Sequence, residues 1–168
     1  TNMSIGELGS DEKSLLLDLE KNMLSKIIDQ EEGVRDVANA LKRLRAGIGD
    51  PDKPASFMFL GTTGVGKTYT AKILAESYFG RKDAMIRFDM SEFSLPDSLD
   101  NFADRLAGVI EEMPLSLVFL DELEKAHRVI HQLLLQVLDE GRLTRKNGRE
   151  ANFKNSIIIA TTNVGSTY

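Results

Sequence analysis

The chain has 168 residues, 42% of them hydrophobic and 28% charged, which suits one domain with a full core and excludes the composition of a disordered segment. It has no cysteine, so a disulfide framework and a thiolate zinc site are both excluded. The net charge of −5 gives no broad pull toward nucleic acid, no apolar run approaches the roughly 20 residues that span a bilayer, and the start lacks a secretory pattern, so a cytoplasmic protein with neither nucleic-acid nor membrane partners is expected.

Residues 1–10 are small and polar and read as a disordered lead-in, with the folded domain over 11–168. From Asp11 the spacing of Leu15, Leu16, Leu19 and Met23 predicts an amphipathic helix, capped by Ser10 or Asp11. Ile27-Ile28-Asp29-Gln30 interrupts it. A second helix is predicted from about Glu31, with Val34, Val37, Ala38, Leu41 and Leu44 on one face and Gly47 or Gly49 as its stop. Lys42, Arg43 and Arg45 fit the solvated side of that helix. Asp50-Pro51-Asp52-Lys53-Pro54 is a turn-rich connection.

Phe57-Met58-Phe59-Leu60 then reads as a buried strand, and residues 61–68 spell G-x-x-x-x-G-K-T ahead of a predicted helix over 67–79 that Gly80 closes. Such a loop binds phosphate. Several backbone N–H groups must point into one concavity, in conformations that Gly61, Gly64 and Gly66 permit, and the helix adds its positive end. The candidate nucleotide-binding stretch is Thr62, Thr63, Gly64, Val65, Gly66, Lys67, Thr68 and Tyr69. Lys67 neutralises the β- and γ-phosphates, and the Thr68 hydroxyl is a hard oxygen ligand for Mg²⁺. A chance match to this pattern in a chain of this length is on the order of one in a hundred.

Residues 84–89 are the next predicted strand, so the alternation of an α/β fold has begun. A helix over 98–112 ends at Pro114, and the continuous apolar run 115–120 predicts a strand covered on both faces, terminated by Asp121-Glu122. A helix over 129–138 buries Ile130, Leu133, Leu134, Val137 and Leu138, and Gly141 stops it. Asn147-Gly148 centres a hairpin over 143–153, and 157–160 is a last buried strand running into Thr161-Thr162-Asn163.

Ligands of an open parallel sheet bind at the carboxyl ends of its strands, which singles out three of these run ends. Asp121 is the candidate Mg²⁺ ligand, Glu122 the candidate base for the attacking water, and Asn163 a neutral group able to hydrogen-bond water or γ-phosphate. His127 and His131 stand four apart with no third ligand, and read as surface or capping residues rather than a metal site.

These strings resemble a known family. Residues 50–68, Asp89-Met90-Ser91-Glu92, residues 120–127, residues 134–144 and residues 155–166 are similar, in order, to the second ATPase module of Clp-type AAA+ unfoldases, the ClpA, ClpB and ClpC class. The resemblance implies a three-layer α/β P-loop NTPase fold with a five-stranded, mostly parallel sheet of order 5-1-4-3-2, the strand ending at Asn163 lying between those of the phosphate loop and the acidic pair. It implies ATP or ADP and Mg²⁺ as ligands, homo-hexamers with each ATP at a subunit boundary, and protein substrates or adaptors as partners. Ile27 and Ile28 match the adenine-contacting position, although Asp29 stands where the family has glycine. Two departures accompany the match. Between the positions of Phe102 and Ala103 the family carries an aromatic-glycine loop that grips polypeptide, whereas here the two residues adjoin, which leaves an assembly or scaffold module without a threading loop as the alternative. The family's arginine finger, second sensor arginine and small helical subdomain follow the position of Tyr168, so a large subdomain alone is expected.

Overall fold

The computed structural model describes residues 5–27, 31–61 and 64–163. In chain order the elements are α1 (Ile5–Asn22), β1 (Leu24–Ile27), α2 (Glu31–Arg45), β2 (Ala55–Leu60), α3 (Gly64–Phe79), β3 (Met85–Asp89), α4 (Leu99–Glu112), β4 (Leu117–Asp121), α5 (Arg128–Glu140), β5 (Arg142–Thr144), β6 (Glu150–Asn152) and β7 (Ile157–Thr162). Short 3₁₀ turns at Met90–Phe93, Pro96–Ser98 and Leu123–Lys125 link them.

Five strands form a parallel sheet in the order β1-β2-β7-β4-β3. β4 explains why the sheet is covered on both faces. All five of its residues are buried, and alternate side chains of a strand point to opposite faces. Leu117 and Phe119 therefore join Phe57, Phe59, Ile157 and Ile159 against Val37 and Leu41 of α2 and Ala71 and Leu74 of α3. Val118 and Leu120 join Met58, Phe88 and Ile158 against Leu19 of α1, Phe102 and Leu106 of α4, and Ile130 and Leu134 of α5. Each fully buried side chain of this size contributes roughly 1.5–3 kcal/mol relative to exposure, so both layers are held firmly.

The hairpin β5–β6 lies against α4. Glu111 of α4 faces Arg145 at 3.6 Å and Arg149 at 3.3 Å, Arg145 also donates to the Asp104 carbonyl at 2.8 Å, and Lys146 reaches Asp100 at 2.6 Å. Arg45 instead stacks over the Tyr78 ring, 4.8 Å from its centroid. No helix among the described residues is long and apolar enough to cross a membrane.

Several details differ from the sequence reading. α1 begins at Ile5, inside the stretch read as a disordered lead-in, because the helical spacing of apolar residues continues back through Leu8 to Ile5. The edge strand beside β2 is not one following Asn163 but β1, paired from Leu24 opposite Phe57 to Ile27 opposite Leu60. β2 leaves a row of backbone donors and acceptors on that side, and Leu24-Ser25-Lys26-Ile27 supplies the complementary row. β7 lies between β2 and β4, as the resemblance implies. α4 passes through Phe102 and Ala103 without a break, both residues lying in one helix.

Candidate functional site

The parallel register brings the ends of β2, β4 and β7 to one edge of the sheet. β2 ends at Leu60 opposite Thr162, and β4 runs beside β7 up to Leu120 opposite Ala160, so Asp121 and Thr161 follow side by side. A cleft of about 90 Å³ opens there, lined by Lys67, Asp121, Glu122, Glu124, Thr161, Thr162 and Asn163.

Lys67 is 4% exposed although it carries a charge. Its ammonium donates to the Gly61 carbonyl at 2.5 Å, to the Thr162 carbonyl at 3.5 Å and to Asn163 Oδ1 at 3.4 Å. An ammonium is tolerated in such a place only with several oxygen partners, and these three come from the start of the loop and the end of β7. Gly61 has φ of +148°, and a Cβ there would meet Lys67 Cε at 3.2 Å, so the loop folds back over its own lysine in a space that a side chain would fill.

Asp121 is almost enclosed. Arg87 Nη2 donates to its Oδ2 at 2.5 Å, and the Thr161 hydroxyl donates to its Oδ1 at 2.8 Å. The hydrogen bond to Asp121 raises the Arg87 guanidinium pKa further above its ordinary value. Asp89 lies opposite Asp121 in the β3–β4 register and turns instead to Ser91, accepting from its hydroxyl at 2.7 Å and its N–H at 3.1 Å. Those bonds hold the Asp89 carboxyl below its usual range, the hydroxyl having the larger effect.

Glu122 alone among the described non-glycine residues has a positive φ, at φ 58° and ψ 56°. For an L-residue that left-handed conformation costs roughly 1–2 kcal/mol, so its surroundings must impose it. Its N–H donates to the Thr161 hydroxyl at 2.8 Å, and its carbonyl accepts from the Lys125 N–H at 3.0 Å. The turn beyond it is held from beneath by His131, whose Nε2 lies 2.8 Å from the Leu123 carbonyl.

Lys67, Asp121, Glu122 and Asn163 line one cleft, with Lys67 and Asp121 buried and Asn163 exposed at the rim. Gly64 and Val65 open α3, Gly66 follows with open space around it, and Thr68 is half-buried just past Lys67. Tyr69 is 66% exposed and does not line the cleft. Ile27 ends β1 opposite Leu60, while Thr62, Thr63 and Ile28 lie outside the described residues. His127 caps α5, its Nδ1 accepting from the Val129 N–H at 3.2 Å. His131 departs from the expectation of a surface or capping role: it is 1% exposed and packs inside α5. Its place three residues before Leu134 puts it on the buried face of that helix, a spacing that was readable.

Two contributors were not singled out in the sequence, and a third was set aside as an ordinary charged residue at a helix start. Arg87 is a charge within the apolar run of β3, and Thr161 is a polar residue continuing the apolar run of β7; both irregularities were visible. The third, Glu124, has one carboxylate oxygen shielded from solvent without a hydrogen-bond partner among the described residues.

The profile of the AAA domain family, Cdc48 subfamily, matches residues 52–168. The chain is 44% identical to the chaperone protein ClpB of Aquifex aeolicus over 181 aligned positions, covering 100% of the chain and 18% of that protein. It is 42% identical to the probable chaperone protein ClpB 1 of Chlorobaculum tepidum, covering 99% of the chain and 41% of the relative. It is 41% identical to the chloroplastic chaperone protein ClpC2 of Arabidopsis thaliana, covering 99% and 19%. The chain therefore spans well under half the length of these curated relatives.

Proposed function

The chain belongs to the AAA domain family as a Clp-type AAA+ module, and on that footing we propose that it binds ATP with Mg²⁺ and hydrolyses it to ADP and phosphate for a chaperone that remodels proteins. The observation that carries this reading is the convergence on one cleft of Lys67, Asp121, the strained Glu122 and Asn163. Lys67 and the amides of the loop from Thr62 to Tyr69 bind the phosphates, with the positive end of α3 behind them. Thr68 and Asp121 would hold Mg²⁺, which supplies charge neutralisation at the β- and γ-oxygens. Glu122 orients the attacking water and takes its proton, and Asn163 reports the γ-phosphate to β7. Ile27 and Ile28 contact adenine.

In this reading the working unit is a homo-hexamer of the longer protein, with protein substrates or adaptors as partners, and the cytoplasm as its place, or an organelle as in the chloroplastic relative. The arginine finger comes from the neighbouring subunit and accounts for about 10³–10⁵ in rate, so the chain alone turns over slowly. Arg145 and Arg149 are engaged with Glu111 and do not serve that role. A second reading, a nucleotide-gated assembly or scaffold module that does not thread polypeptide, is favoured by one observation: α4 runs unbroken through Phe102 and Ala103.

Two substitutions test the proposal. Lys67→Ala is expected to abolish binding of a fluorescent ATP analogue. Glu122→Gln is expected to keep that binding while hydrolysis falls by about 10²–10⁴. Undiminished hydrolysis by Glu122→Gln would remove Glu122 from the mechanism. The scaffold reading gains if Glu122→Gln leaves partner binding intact and the parent protein fails to unfold a tagged substrate.

A further inference from the structure

We propose that Thr161 is the positioning residue for Glu122: through one buried hydroxyl it fixes the backbone of the base to the metal-side carboxylate. The inference rests on the reading of Glu122 as the base.

Thr161 is 3% exposed and its hydroxyl makes two hydrogen bonds, each 2.8 Å long. The direction of each is fixed by chemistry. The Glu122 N–H can only donate, so the hydroxyl oxygen accepts from it, and the hydroxyl proton is then directed to Asp121 Oδ1. A single oxygen atom thereby ties residue 121 through its side chain and residue 122 through its main chain.

The consequence falls on Glu122. Its left-handed backbone is the conformation that extended strand geometry would replace if the amide bond were released, and a change between the two redirects the Cα–Cβ bond and with it the carboxylate. The N–H to Thr161 holds the residue from the β7 side, and the Lys125 N–H holds its carbonyl from the following turn. Lys67 donates to Gly61, Thr162 and Asn163, whereas the Thr161 hydroxyl engages Glu122 and Asp121, so the tie sits on the side of the base and the acidic pair.

Thr161→Val keeps the shape and removes both hydrogen bonds. In single-turnover ATP hydrolysis it is expected to slow the chemical step about 10²-fold, as a small misplacement of a catalytic group does, a loss larger than any change in the Kd for the ATP analogue. Thr161→Ser restores the rate to near that of the parent. Combined with Glu122→Gln, Thr161→Val is expected to add no further loss, because a residue acting through Glu122 has nothing left to position. Should Thr161→Val fail to fold, Thr161→Ser and Thr161→Ala replace it as a pair: both lack the methyl group and they differ by one oxygen, so serine is expected to be fast and alanine slow. Equal rates for that pair, a parent-like rate for Thr161→Val, or an additive loss in the double variant would overturn the proposal. If instead Glu122→Gln alone hydrolyses normally, the reading of the base fails first, and the two failures are told apart.

Discussion

Asp89 shows how much a single side chain at a strand end can be asked to do. Its carboxylate caps the 3₁₀ turn Met90–Phe93 through Ser91, and that turn buries Met90 and Phe93 in the core. Because hydrogen bonding lowers its pKa below the ordinary 3.8, the cap contributes stability above about pH 4 and loses it as the pH falls through the lower folded value. The side chain is largely solvated, which keeps the effect small. Asp89→Ala is expected to cost about 0.5–1 kcal/mol in urea denaturation at neutral pH. The gap between variant and parent should narrow as the pH falls through the lowered folded value, because the parent's carboxyl is then protonated; a gap that persists in acid would assign the loss to packing instead. The identity of the acidic and basic groups in the cleft was legible in the sequence because strand ends in a parallel sheet are predictable places. The strain at Glu122 was not. Nothing in Leu120-Asp121-Glu122-Leu123 announces a left-handed glutamate, since it depends on Thr161, a residue distant in sequence that the β4–β7 register brings alongside.

At the level of elements, the junction between α5 and the hairpin is the least forgiving. Gly141 ends α5 with φ of +72° and its N–H bonded to the Val137 carbonyl, while its own carbonyl receives the Phe153 N–H at 2.8 Å. A Cβ at this position would lie 2.0 Å from the backbone oxygen of Asp52, which has no flexible end to swing aside. Gly141→Ala is therefore expected to cost about 2–5 kcal/mol, combining left-handed strain with a forced backbone shift. Gly148→Ala, with φ of +84° but open space around it, should cost only about 1–2 kcal/mol. Thermal unfolding of the two variants side by side checks the difference, and similar losses would mean that the connection at Asp52 yields easily. The helix stop at Gly141 was readable from the end of an apolar period. The approach of the Asp52 backbone was not, because periodicity describes an element and says nothing of which loop crosses its end. For the same reason β1 went unread, a four-residue strand whose pairing partner is a geometric fact about β2.

The whole molecule rests on two apolar layers that meet in the sheet, and adjacent residues of β4 belong to different layers. Phe119, fully buried against α2 and α3, is expected to cost about 3–5 kcal/mol when replaced by alanine, read from the urea midpoint at unchanged m-value. A lowered m-value would instead mean that the α2–α3 layer had come loose in the native state. The layered α/β architecture itself was visible in the alternation of apolar runs and amphipathic stretches, since each burial pattern states how many faces an element must cover.

The position of β7 has a further effect, which belongs to the history of the chain rather than its finished form. Among the described residues it is the last strand in sequence order, yet it lies between β2 and β4. Without β7 the described sheet falls into two strand pairs, β1–β2 and β3–β4, with no edge in common, and Lys67 lacks the partners it finds at Thr162 and Asn163. Insertion of β7 is a long-range step that comes late and slowly, and it joins the halves and completes the lysine's cradle in one event. A ligand that binds only what has passed that step would hold the chain on the folded side by mass action.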